Sequence, residues 1–405
     1  MRKLLVLRGA PGSGKTTWIK NNKLIPYTLS FDNIKMLYQS PIQTIYGKES
    51  TSQKLNHKVW DTLCEILEQR MDTGEFTIID AINNKVSVLE RFYELAQLYR
   101  YEMFVVDFTK IPIHVAKSQN INRSSRKRVP DPVIDSVYED FKNEPVPDYM
   151  RIIIQKELSK VFTKSVDLSK YKKVHHIGDI HGCFEVFMEA LNKNGGFKKD
   201  EYYIFLGDYT DKGMSNDKVL KFLTKLSEKN NVCFCEGNHE RWMWNWLNNK
   251  EDCKYPDEFI NNTIPQVSKL NMEKLKTFYK NLKECFLYSY KGRTVLACHG
   301  GLATIPERLE YISGYQYTHG VGLYSDLETI AKTFKKTTEK NMYEVFGHRN
   351  PEGFPTQLEN RTFCLENGVD IGGNLRWLTL DKTDFHEKQY KNTFVREDLI
   401  ESCDD

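Results

Sequence analysis

A short run of residues near the start of the chain has the types and spacing that phosphate binding requires. Gly9–Thr16 reads GAPGSGKT and matches the pattern G-x-x-x-x-G-K-[ST], between an apolar strand and a helix. The glycines let successive backbone N–H groups point at phosphate oxygens, Lys15 can reach the β- and γ-phosphates, and the Thr16 hydroxyl can hold Mg²⁺. We therefore predict a site for ATP with Mg²⁺, formed by Gly9, Gly12, Ser13, Gly14, Lys15, Thr16 and Thr17.

Three further segments in the same part of the chain have residues that can act on a γ-phosphate. Asp32 follows a short strand, where it can accept a proton from an attacking hydroxyl or simply cap a helix. Asp80 follows the apolar strand 76–79, and the carboxyl ends of strands in an open α/β sheet border the ligand crevice. The arginine-rich loop 122–130 can be a lid that neutralises a transferring phosphate, or an ordinary solvated loop.

Together these segments resemble the kinase domain of the polynucleotide kinase family, over residues 1–145. The resemblance implies that Asp32 is the general base on a 5′-hydroxyl. Catalysis would also involve Lys15 and a lid arginine, either Arg123 or Arg126. The substrate-binding residues that it implies are Lys35, Asp80 and Asn83. Lys35 replaces the family's arginine, and a lysine offers a point charge in place of a bidentate contact.

A second set of Asp, His and Asn residues lies in glycine-containing segments, several of which follow apolar strands. The segments are 178–182 (GDIHG), 207–213 (GDYTDKG), 237–240 (GNHE), 299–301 (HGG) and 347–348 (GH). Oxygen and imidazole ligands without thiolates favour Mn²⁺, Fe or Zn²⁺ over a structural zinc site. A carboxylate that bridges two such ions lets them clamp a phosphoryl group from both sides. We therefore predict a dinuclear metal site for phosphoester hydrolysis.

This second set resembles the calcineurin-like metallophosphoesterase superfamily over residues 173–380. The resemblance implies two divalent metal ions, expected to be Mn²⁺. The ligands of the first metal would be Asp179, His181 and Asp208, and those of the second Asp208, Asn238, His299 and His348. His239 would be the general acid, oriented by Asp211. Lys212 stands where an arginine usually grips the substrate phosphate, and Glu366 replaces an aspartate of the family.

The elements around these segments predict two α/β domains. Strands at 3–7, 27–29, 76–79 and 103–108 alternate with helices at 16–21, 59–70, 88–99 and 130–142, which favours a parallel sheet. We place a P-loop kinase domain at 1–150, a basic linker at 151–172 and a calcineurin-like phosphoesterase domain, with packed β-sheets flanked by helices, at 173–405.

Other aromatic and histidine residues are expected to have structural roles. The tryptophans that follow the 237–240 segment should pack against a sheet rather than stack on bases: Trp242, Trp244 and Trp246. Histidines that match no motif should lie in the core or on the surface: His57, His114, His175, His176, His319 and His386.

The composition is that of a soluble cytoplasmic protein. Hydrophobic residues make up 40% and charged residues 28% of the chain, and no apolar stretch is long enough to span a membrane. The nine cysteines include no CxxC pair, so reduced thiols fit better than a disulfide framework. The net charge is +3, so nucleic acid would be bound by local basic patches. We expect the protein to be located in the cytoplasm of a bacterium or of a phage-infected cell.

The order of the two domains resembles the kinase–phosphatase part of bacterial polynucleotide kinase–phosphatases. That resemblance implies an enzyme that heals RNA or DNA ends, adding phosphate to 5′-hydroxyls and removing 2′,3′-cyclic, 2′- or 3′-phosphates. We expect no ligase domain after these two domains, so sealing would need a separate RNA ligase. Two alternatives stay open, a protein serine/threonine phosphatase and a dinucleotide polyphosphate hydrolase, each with an ATP-binding N-terminal domain.

Overall fold

The computed structural model describes residues 2–45, 47, 49–250, 253–350 and 352–395. The chain forms two compact units, Met1–Thr163 with Arg308–Ser313, and Lys164–Glu307 with Gly314–Asp405. Each unit has its own sheets and its own clusters of buried apolar residues.

A five-stranded parallel sheet forms the centre of the first unit. The strands of this unit are β1 (Lys3–Arg8), β2 (Thr28–Ser30), β3 (Ile42–Gln43), β4 (Glu49–Ser50), β5 (Thr77–Asp80), β6 (Glu102–Asp107) and β7 (Arg151–Ile154). The sheet has the order β2-β5-β1-β6-β7, and β3 and β4 form a separate antiparallel pair. Asp80 pairs with Leu7 of β1 and with Ser30 of β2, so the carboxyl ends of these strands meet at one edge.

Helices cover both faces of this parallel sheet. They are α1 (Lys15–Asn21), α2 (Phe31–Tyr38), α3 (Asn56–Asp72), α4 (Val86–Leu98), α5 (Ile113–Ile121) and α6 (Asp131–Asn143). Alternate side chains of β1 point to opposite faces. Leu4 and Val6 pack with residues of α3 and α4, whereas Leu5 packs in a second cluster with Ile19 of α1. Burial on both faces explains why β1 is apolar along its length.

Two sheets form the second unit. Their strands are β8 (Val166–Asp167), β9 (Val174–Ile177), β10 (Tyr202–Phe205), β11 (Val232–Phe234), β12 (Cys285–Tyr290), β13 (Arg293–Cys298), β14 (Met342–Phe346), β15 (Gln357–Leu358), β16 (Thr362–Cys364), β17 (Asn374–Leu380) and β18 (Phe385–Lys391). One sheet has the order β11-β10-β9-β17-β18, and the other the order β15-β16-β14-β13-β12-β8. Buried residues of both sheets, such as Ile204 and Val345, form one shared cluster, so the two sheets pack together.

The helices of the second unit are α7 (Phe184–Lys193), α8 (Asn216–Leu226), α9 (Glu240–Leu247), α10 (Ile264–Val267), α11 (Met272–Lys280), α12 (Gly314–His319) and α13 (Leu327–Thr337). Five of them, α7, α8, α9, α10 and α11, share a core cluster with β10. Trp244 of α9 is buried in that cluster, and Trp242 and Trp246 pack against it. This confirms the packing role predicted for the three tryptophans.

The segment 151–172, predicted as a linker, is divided between the two units. Arg151–Ile154 is the edge strand β7, paired in parallel with β6 of the first unit. Val166–Asp167 is β8, paired with β12 of the second unit. The basic side chains of this segment flank short apolar runs, and Ile153 is buried in the first unit's core. Burial of Ile153 in the first unit and of Leu168 in the second draws the segment into both sheets.

The predicted fold class, an α/β chain with a parallel sheet followed by packed sheets flanked by helices, is confirmed. Among the described residues, the helices are too short or too polar to cross a membrane. None of the cysteines in the described part of the chain forms a disulfide.

Candidate functional site

The loop between β1 and α1 borders a cleft of about 1400 Å³ in the first unit. Pro11–Thr17, Asp32, Lys35 and the loop 122–130 contribute lining residues. Gly12 has a φ of +85°, and a Cβ at this position would lie 2.1 Å from a backbone carbonyl oxygen of α5. Only glycine fits this turn, which brings the predicted phosphate-binding residues to one wall of the cleft.

Lys15, Thr16 and Asp80 lie together at this wall. The Nζ of Lys15 donates to the carbonyl oxygens of Gly9 and Ala10, at 2.6 and 3.1 Å, and burial lowers the pKa of Lys15 to about 8. The Thr16 hydroxyl donates to Oδ2 of Asp80 at 3.4 Å. We predicted Asp80 as a substrate contact, but a carboxylate beside the P-loop Thr is the usual partner of Mg²⁺. The position of Asp80 therefore suits Mg²⁺ binding as well, and its contact with substrate stays a prediction.

Asp32 and Arg123 face each other in the cleft. Oδ2 of Asp32 is 4.0 Å from Nη2 of Arg123, and the Asp32 side chain is 55% exposed. The helix α2 has no side-chain hydrogen bond at its N-cap, Ser30. Nη1 of Arg123 is buried without a hydrogen-bond partner among the described residues, which suits an anion-binding donor. Both predicted lid arginines line the cleft, and Arg123 lies beside Asp32.

Two predicted substrate contacts are bonded within the protein. Lys35 is 4% exposed, donates to Oε1 of Gln53 at 3.2 Å, and has its pKa lowered by burial. Asn83 donates from Nδ2 to the carbonyl oxygen of Leu7 at 2.7 Å. Its φ of +50° is a conformation that asparagine tolerates better than most residues. Both residues line the cleft, and their substrate contacts stay predictions, while Asn83 also fixes β1 just before the phosphate-binding loop.

In the second unit, the six predicted metal ligands follow the carboxyl ends of five strands. Asp179 and His181 follow β9, Asp208 follows β10, Asn238 follows β11, His299 follows β13 and His348 follows β14. His181, Asp208 and His348 have φ values of +48°, +49° and +65°. Such conformations are strained for residues other than glycine, and this strain concentrates at functional sites.

Two histidines turn their Nε2 atoms toward Asp208. The Nδ1–H of His299 donates to a backbone carbonyl at 3.0 Å, which leaves Nε2 3.2 Å from Oδ2 of Asp208 and 3.1 Å from Oδ1 of Asn238. The Nδ1–H of His181 likewise donates to a carbonyl at 3.2 Å, with Nε2 3.6 Å from the same Asp208 oxygen. Burial lowers the pKa of His181 to about 3, so its imidazole is neutral and offers a lone pair to a metal.

Buried carboxylates crowd around these histidines. Asp179 accepts a hydrogen bond from the backbone N–H of His348 at 2.9 Å. Its Oδ1 is buried without a hydrogen-bond partner among the described residues and lies 3.9 Å from Nδ1 of His299. Burial, together with the nearby Glu366 and Asp208, raises the pKa of Asp179 well above its usual range. Such a cluster is costly unless cations balance it.

The donor atoms form groups small enough to hold single metal ions, each lying within 4.8 Å of one another. The groups are Asp179, His181 and Glu366; His181, Asp208 and His239; and Asp208, His299 and His348. This oxygen and imidazole set fits divalent cations, as a calcineurin-like phosphoesterase domain implies. Glu366 joins the first group although it replaces the aspartate that the family has.

Gly347 permits the close contact between Asp179 and the His348 backbone. A Cβ at this position would lie 1.9 Å from Oδ1 of Asp179. We expect Gly347→Ala to displace this carboxylate and weaken metal binding by roughly 10- to 100-fold, the usual effect of disturbing a ligand's support. Metal titration by calorimetry measures this. Gly196→Ala is the control for backbone strain outside the metal site, because a Cβ there meets nothing within 4 Å and the only cost is the φ of +74°. Equal metal affinity in the two variants would contradict the placement of Asp179.

His239 and Asp211 form a pair next to the bridging Asp208. Nδ1 of His239 is 2.6 Å from Oδ2 of Asp211, and Nε2 is 3.7 Å from Oδ2 of Asp208. Burial lowers the pKa of His239, but the two carboxylates outweigh this and raise it to about 9. The Thr263 hydroxyl donates to the other oxygen of Asp211 at 2.7 Å, so the pair is fixed. An imidazole oriented in this way can donate a proton to a leaving group.

Lys212, the predicted phosphate-gripping residue, lies 3.4 Å from a carboxylate oxygen of Asp370. Burial lowers the pKa of Lys212, but Asp370, Glu366 and Asp208 raise it above its usual range. Lys212 therefore stays protonated and forms an ion pair with Asp370. Asp370 lies in the late segment 365–373, where the sequence departs from the family pattern, and no role was predicted for it.

Two further residues lie at this centre: Glu240 had no predicted role, and His319 was expected to be only a core or surface histidine. The carboxylate of Glu240 accepts hydrogen bonds from the backbone N–H groups of Asp208, Tyr209 and Gly237, at 2.9, 3.0 and 2.7 Å, and so holds the Asp208 loop. The position of Glu240 in the GNHE segment is the sequence signal from which this role could have been predicted. The ring of His319 lies 5.9 Å from that of His348, and no motif marked it. The other motif-free histidines are placed as predicted, His175 and His176 in the core and His57, His114 and His386 at the surface.

Comparison with known proteins agrees with the division of the chain into a P-loop unit and a phosphoesterase unit. Residues 172–373 match the calcineurin-like phosphoesterase family, and residues 4–144 match an AAA domain family. The asymmetrical bis(5′-nucleosyl)-tetraphosphatase PrpE of Bacillus velezensis is 33% identical over 222 residues, 49% of this chain and 85% of the relative. The PrpE of Oceanobacillus iheyensis is 27% identical over 244 residues, 56% of this chain and 95% of the relative.

Among solved structures, a putative diadenosine tetraphosphatase matches with a TM-score of 0.41 and 16% identity, over 56% of this chain and 99% of that chain. The family match covers the segments from which all six candidate metal ligands come. The chain belongs to the calcineurin-like phosphoesterase family, with a P-loop domain of the AAA type ahead of its phosphoesterase domain.

Proposed function

We propose that the protein heals polynucleotide ends, by ATP-dependent phosphorylation of 5′-hydroxyls and metal-dependent removal of 2′,3′-cyclic, 2′- or 3′-phosphates. The proposal is carried by the presence of two sites for phosphate chemistry in one chain, the cleft of the first unit and the candidate metal site of the second. In the cleft, Asp32 and Arg123 lie beside the phosphate-binding loop. Ribonuclease cleavage leaves a 5′-hydroxyl at one end and a cyclic phosphate at the other. Repair needs a phosphate added to the first end and removed from the second, and these two centres suit those two reactions.

The proposed transfer uses residues on both sides of the first cleft. Lys15 and the backbone N–H groups of its loop would bind the phosphates of ATP, and Thr16 and Asp80 would hold Mg²⁺. The carboxylate of Asp32 takes the proton of the 5′-hydroxyl while that oxygen bonds to the γ-phosphorus and the bond to the β-phosphate breaks. The guanidinium of Arg123 balances the charge of the transferred group.

Asp32→Asn is expected to slow phosphate transfer by ~10²-fold or more, because the general base is lost. The affinity for ATP should change little, since the Lys15 side of the cleft is intact. Transfer of labelled γ-phosphate and binding of a fluorescent ATP analogue measure the two quantities. Asp131→Asn is the matched control, because Asp131 is also in the first turn of a helix. A wild-type transfer rate for Asp32→Asn would reduce Asp32 to a helix-stabilising residue.

In the second unit, His239 is the proposed general acid. Two divalent ions, proposed to be Mn²⁺, supply Lewis acidity and an activated water when bound. Nε2 of His239 gives its proton to the leaving ribose oxygen as the phosphorus–oxygen bond breaks, and Asp211 holds the imidazole in place. Lys212 offsets charge on the phosphate, in balance with Asp370.

The products of the two reactions are a 5′-phosphate and a 3′-hydroxyl, the two groups that a ligase joins. We therefore propose RNA or DNA ends as the substrates and a separate RNA ligase as the enzyme that uses the products.

Hydrolysis of dinucleotide polyphosphates is the second candidate, because relatives of the phosphoesterase domain are named asymmetrical bis(5′-nucleosyl)-tetraphosphatases. We would compare kcat/KM for diadenosine tetraphosphate, a 3′-phosphorylated oligonucleotide and a phosphoserine peptide. End healing predicts the highest value for the oligonucleotide. The highest value for diadenosine tetraphosphate, without phosphate transfer to a 5′-hydroxyl, would favour the second candidate.

A further inference from the structure

Exposed aromatic rings border the candidate metal site of the second unit, called the phosphoester centre below, on the side of His348. The ring of Tyr315 stacks on that of His319, with 3.9 Å between centroids and 10° between planes, and His319 lies 5.9 Å from His348. On another side, the ring of Tyr324 lies 5.4 Å from His348 at an interplanar angle of 79°. The two tyrosines are each 49% exposed. The aromatic surface is thus continuous with the candidate metal site.

The segment that carries these rings is firmly attached to the centre. The buried guanidinium of Arg349 donates to the backbone carbonyls of His319, Val321 and Leu323, and also to that of Gly300, next to the candidate ligand His299. The Tyr324 hydroxyl donates to the backbone carbonyl of His348 at 2.7 Å. The rings therefore have a fixed position relative to the phosphoester centre.

Their exposure is not explained by packing of the core. Tyr317 of the same helix, α12, is fully buried, whereas Tyr315 turns outward. Leu323, beside Tyr324, is 72% exposed and extends the apolar surface. Flat, half-exposed aromatic rings next to a phosphate-binding centre are the means by which proteins stack unpaired bases.

We propose that Tyr315, supported by His319, and Tyr324 stack on the base of the nucleotide whose phosphate is removed. The centre would then select phosphoesters that carry a base, and the two tyrosines would determine specificity. This inference rests on the proposed function and names a substrate contact for it. A phosphopeptide bound on the same rings is the competing occupant, which the experiment below distinguishes.

The test compares oligonucleotides that end in a 3′-phosphate on 2′-deoxyadenosine (the adenosine end) or on an abasic 1,2-dideoxyribose, so that the two ends differ only in the base. Wild-type protein should prefer the adenosine end in kcat/KM by about tenfold, the usual worth of stacking one base. Tyr315→Leu and Tyr324→Leu should each remove most of this preference, through KM for the adenosine end. Tyr324→Phe loses the hydroxyl bond to His348 but keeps the ring, whose remaining contact with the His348 ring should hold it well enough to keep the preference. Tyr149→Leu, a half-exposed tyrosine of the first unit, is the matched control.

Tyr315→Trp controls for misfolding caused by a substitution at this position. It enlarges the ring and should keep or increase the preference. Equal losses on adenosine and abasic ends in the Leu variants would overturn the proposal and leave the tyrosines as supports of His348. An unchanged preference would overturn it too, as would a larger loss on a phosphotyrosine peptide than on the adenosine end. If wild-type protein cleaves diadenosine tetraphosphate and no polynucleotide end, end healing fails separately. The same variants then test stacking on diadenosine tetraphosphate against inorganic tetraphosphate.

Discussion

Replacing Asp208 by alanine is expected to abolish phosphoester hydrolysis while ATP-dependent phosphate transfer continues near the wild-type rate. The Asp208 carboxylate belongs to two of the candidate metal groups, so its loss weakens both. Metal ions contribute several kcal/mol to such reactions, so we expect a decrease of ~10³-fold or more in hydrolysis. Lys15→Ala should have the opposite effect, because its buried amino group lies at the phosphate-binding loop of the other unit. Hydrolysis and transfer rates are measured side by side for each variant.

Matched controls for these two variants come from exposed ion pairs. Asp200→Ala removes a carboxylate that pairs with Lys172, and Lys142→Ala removes an amino group that pairs with Glu139. Both controls should keep both activities, since exposed ion pairs contribute little. The account of two independent centres is wrong if Asp208→Ala or Lys15→Ala, in a folded protein, loses both activities.

His239→Ala is expected to lose hydrolysis of a nucleoside monophosphate by ~10²- to 10⁴-fold, the usual worth of a general acid. The leaving ribose oxygen needs a proton, and Nε2 of His239 is the proposed donor. A p-nitrophenyl phosphodiester has a leaving group with little need of a proton, so its hydrolysis should decrease much less. Kinetics on the two substrates, with metal content measured in parallel, give the comparison.

Asn238→Ala and His299→Ala are the comparison variants for His239. Both remove candidate metal ligands near Asp208, so both substrates should lose rate equally and metal content should fall. If His239→Ala keeps its metals and loses equally on both substrates, His239 binds phosphate and is not the acid.

Much of the fold and of the first cleft could be predicted because the signals are local. The apolar run of β1 ends at the GAPGSGKT segment, so one short stretch specifies a strand, a turn and a helix start. The glycine-containing segments of the second unit likewise follow strands whose apolar sequences could be recognised. Parallel strands bring their carboxyl ends to one edge, so residues far apart in sequence could be assigned to one site.

The remaining features depend on contacts between distant residues. Nothing near His319 in the sequence indicates that its ring lies beside His348, and nothing near Lys212 indicates its pairing with Asp370. The role of Asp80 beside Thr16 depends on the register between β1 and β5. Arg308–Ser313 belongs to the first unit although the neighbouring sequence belongs to the second. Tyr311 of that segment stacks on Tyr27, a contact that no sequence period encodes.

The most direct test uses one RNA that carries a 5′-hydroxyl and a 2′,3′-cyclic phosphate. The RNA is incubated with the full chain, Mg²⁺, Mn²⁺ and ATP labelled in the γ-phosphate, and both ends of the product are analysed. The account predicts a labelled 5′-phosphate and a free 3′-hydroxyl on the same molecule. With Lys15→Ala, the RNA should lack the 5′ label but still have a free 3′-hydroxyl. With Asp208→Ala, the RNA should carry the 5′ label and still have its cyclic phosphate. An RNA recovered without label, from protein that still hydrolyses phosphoesters, would contradict end healing.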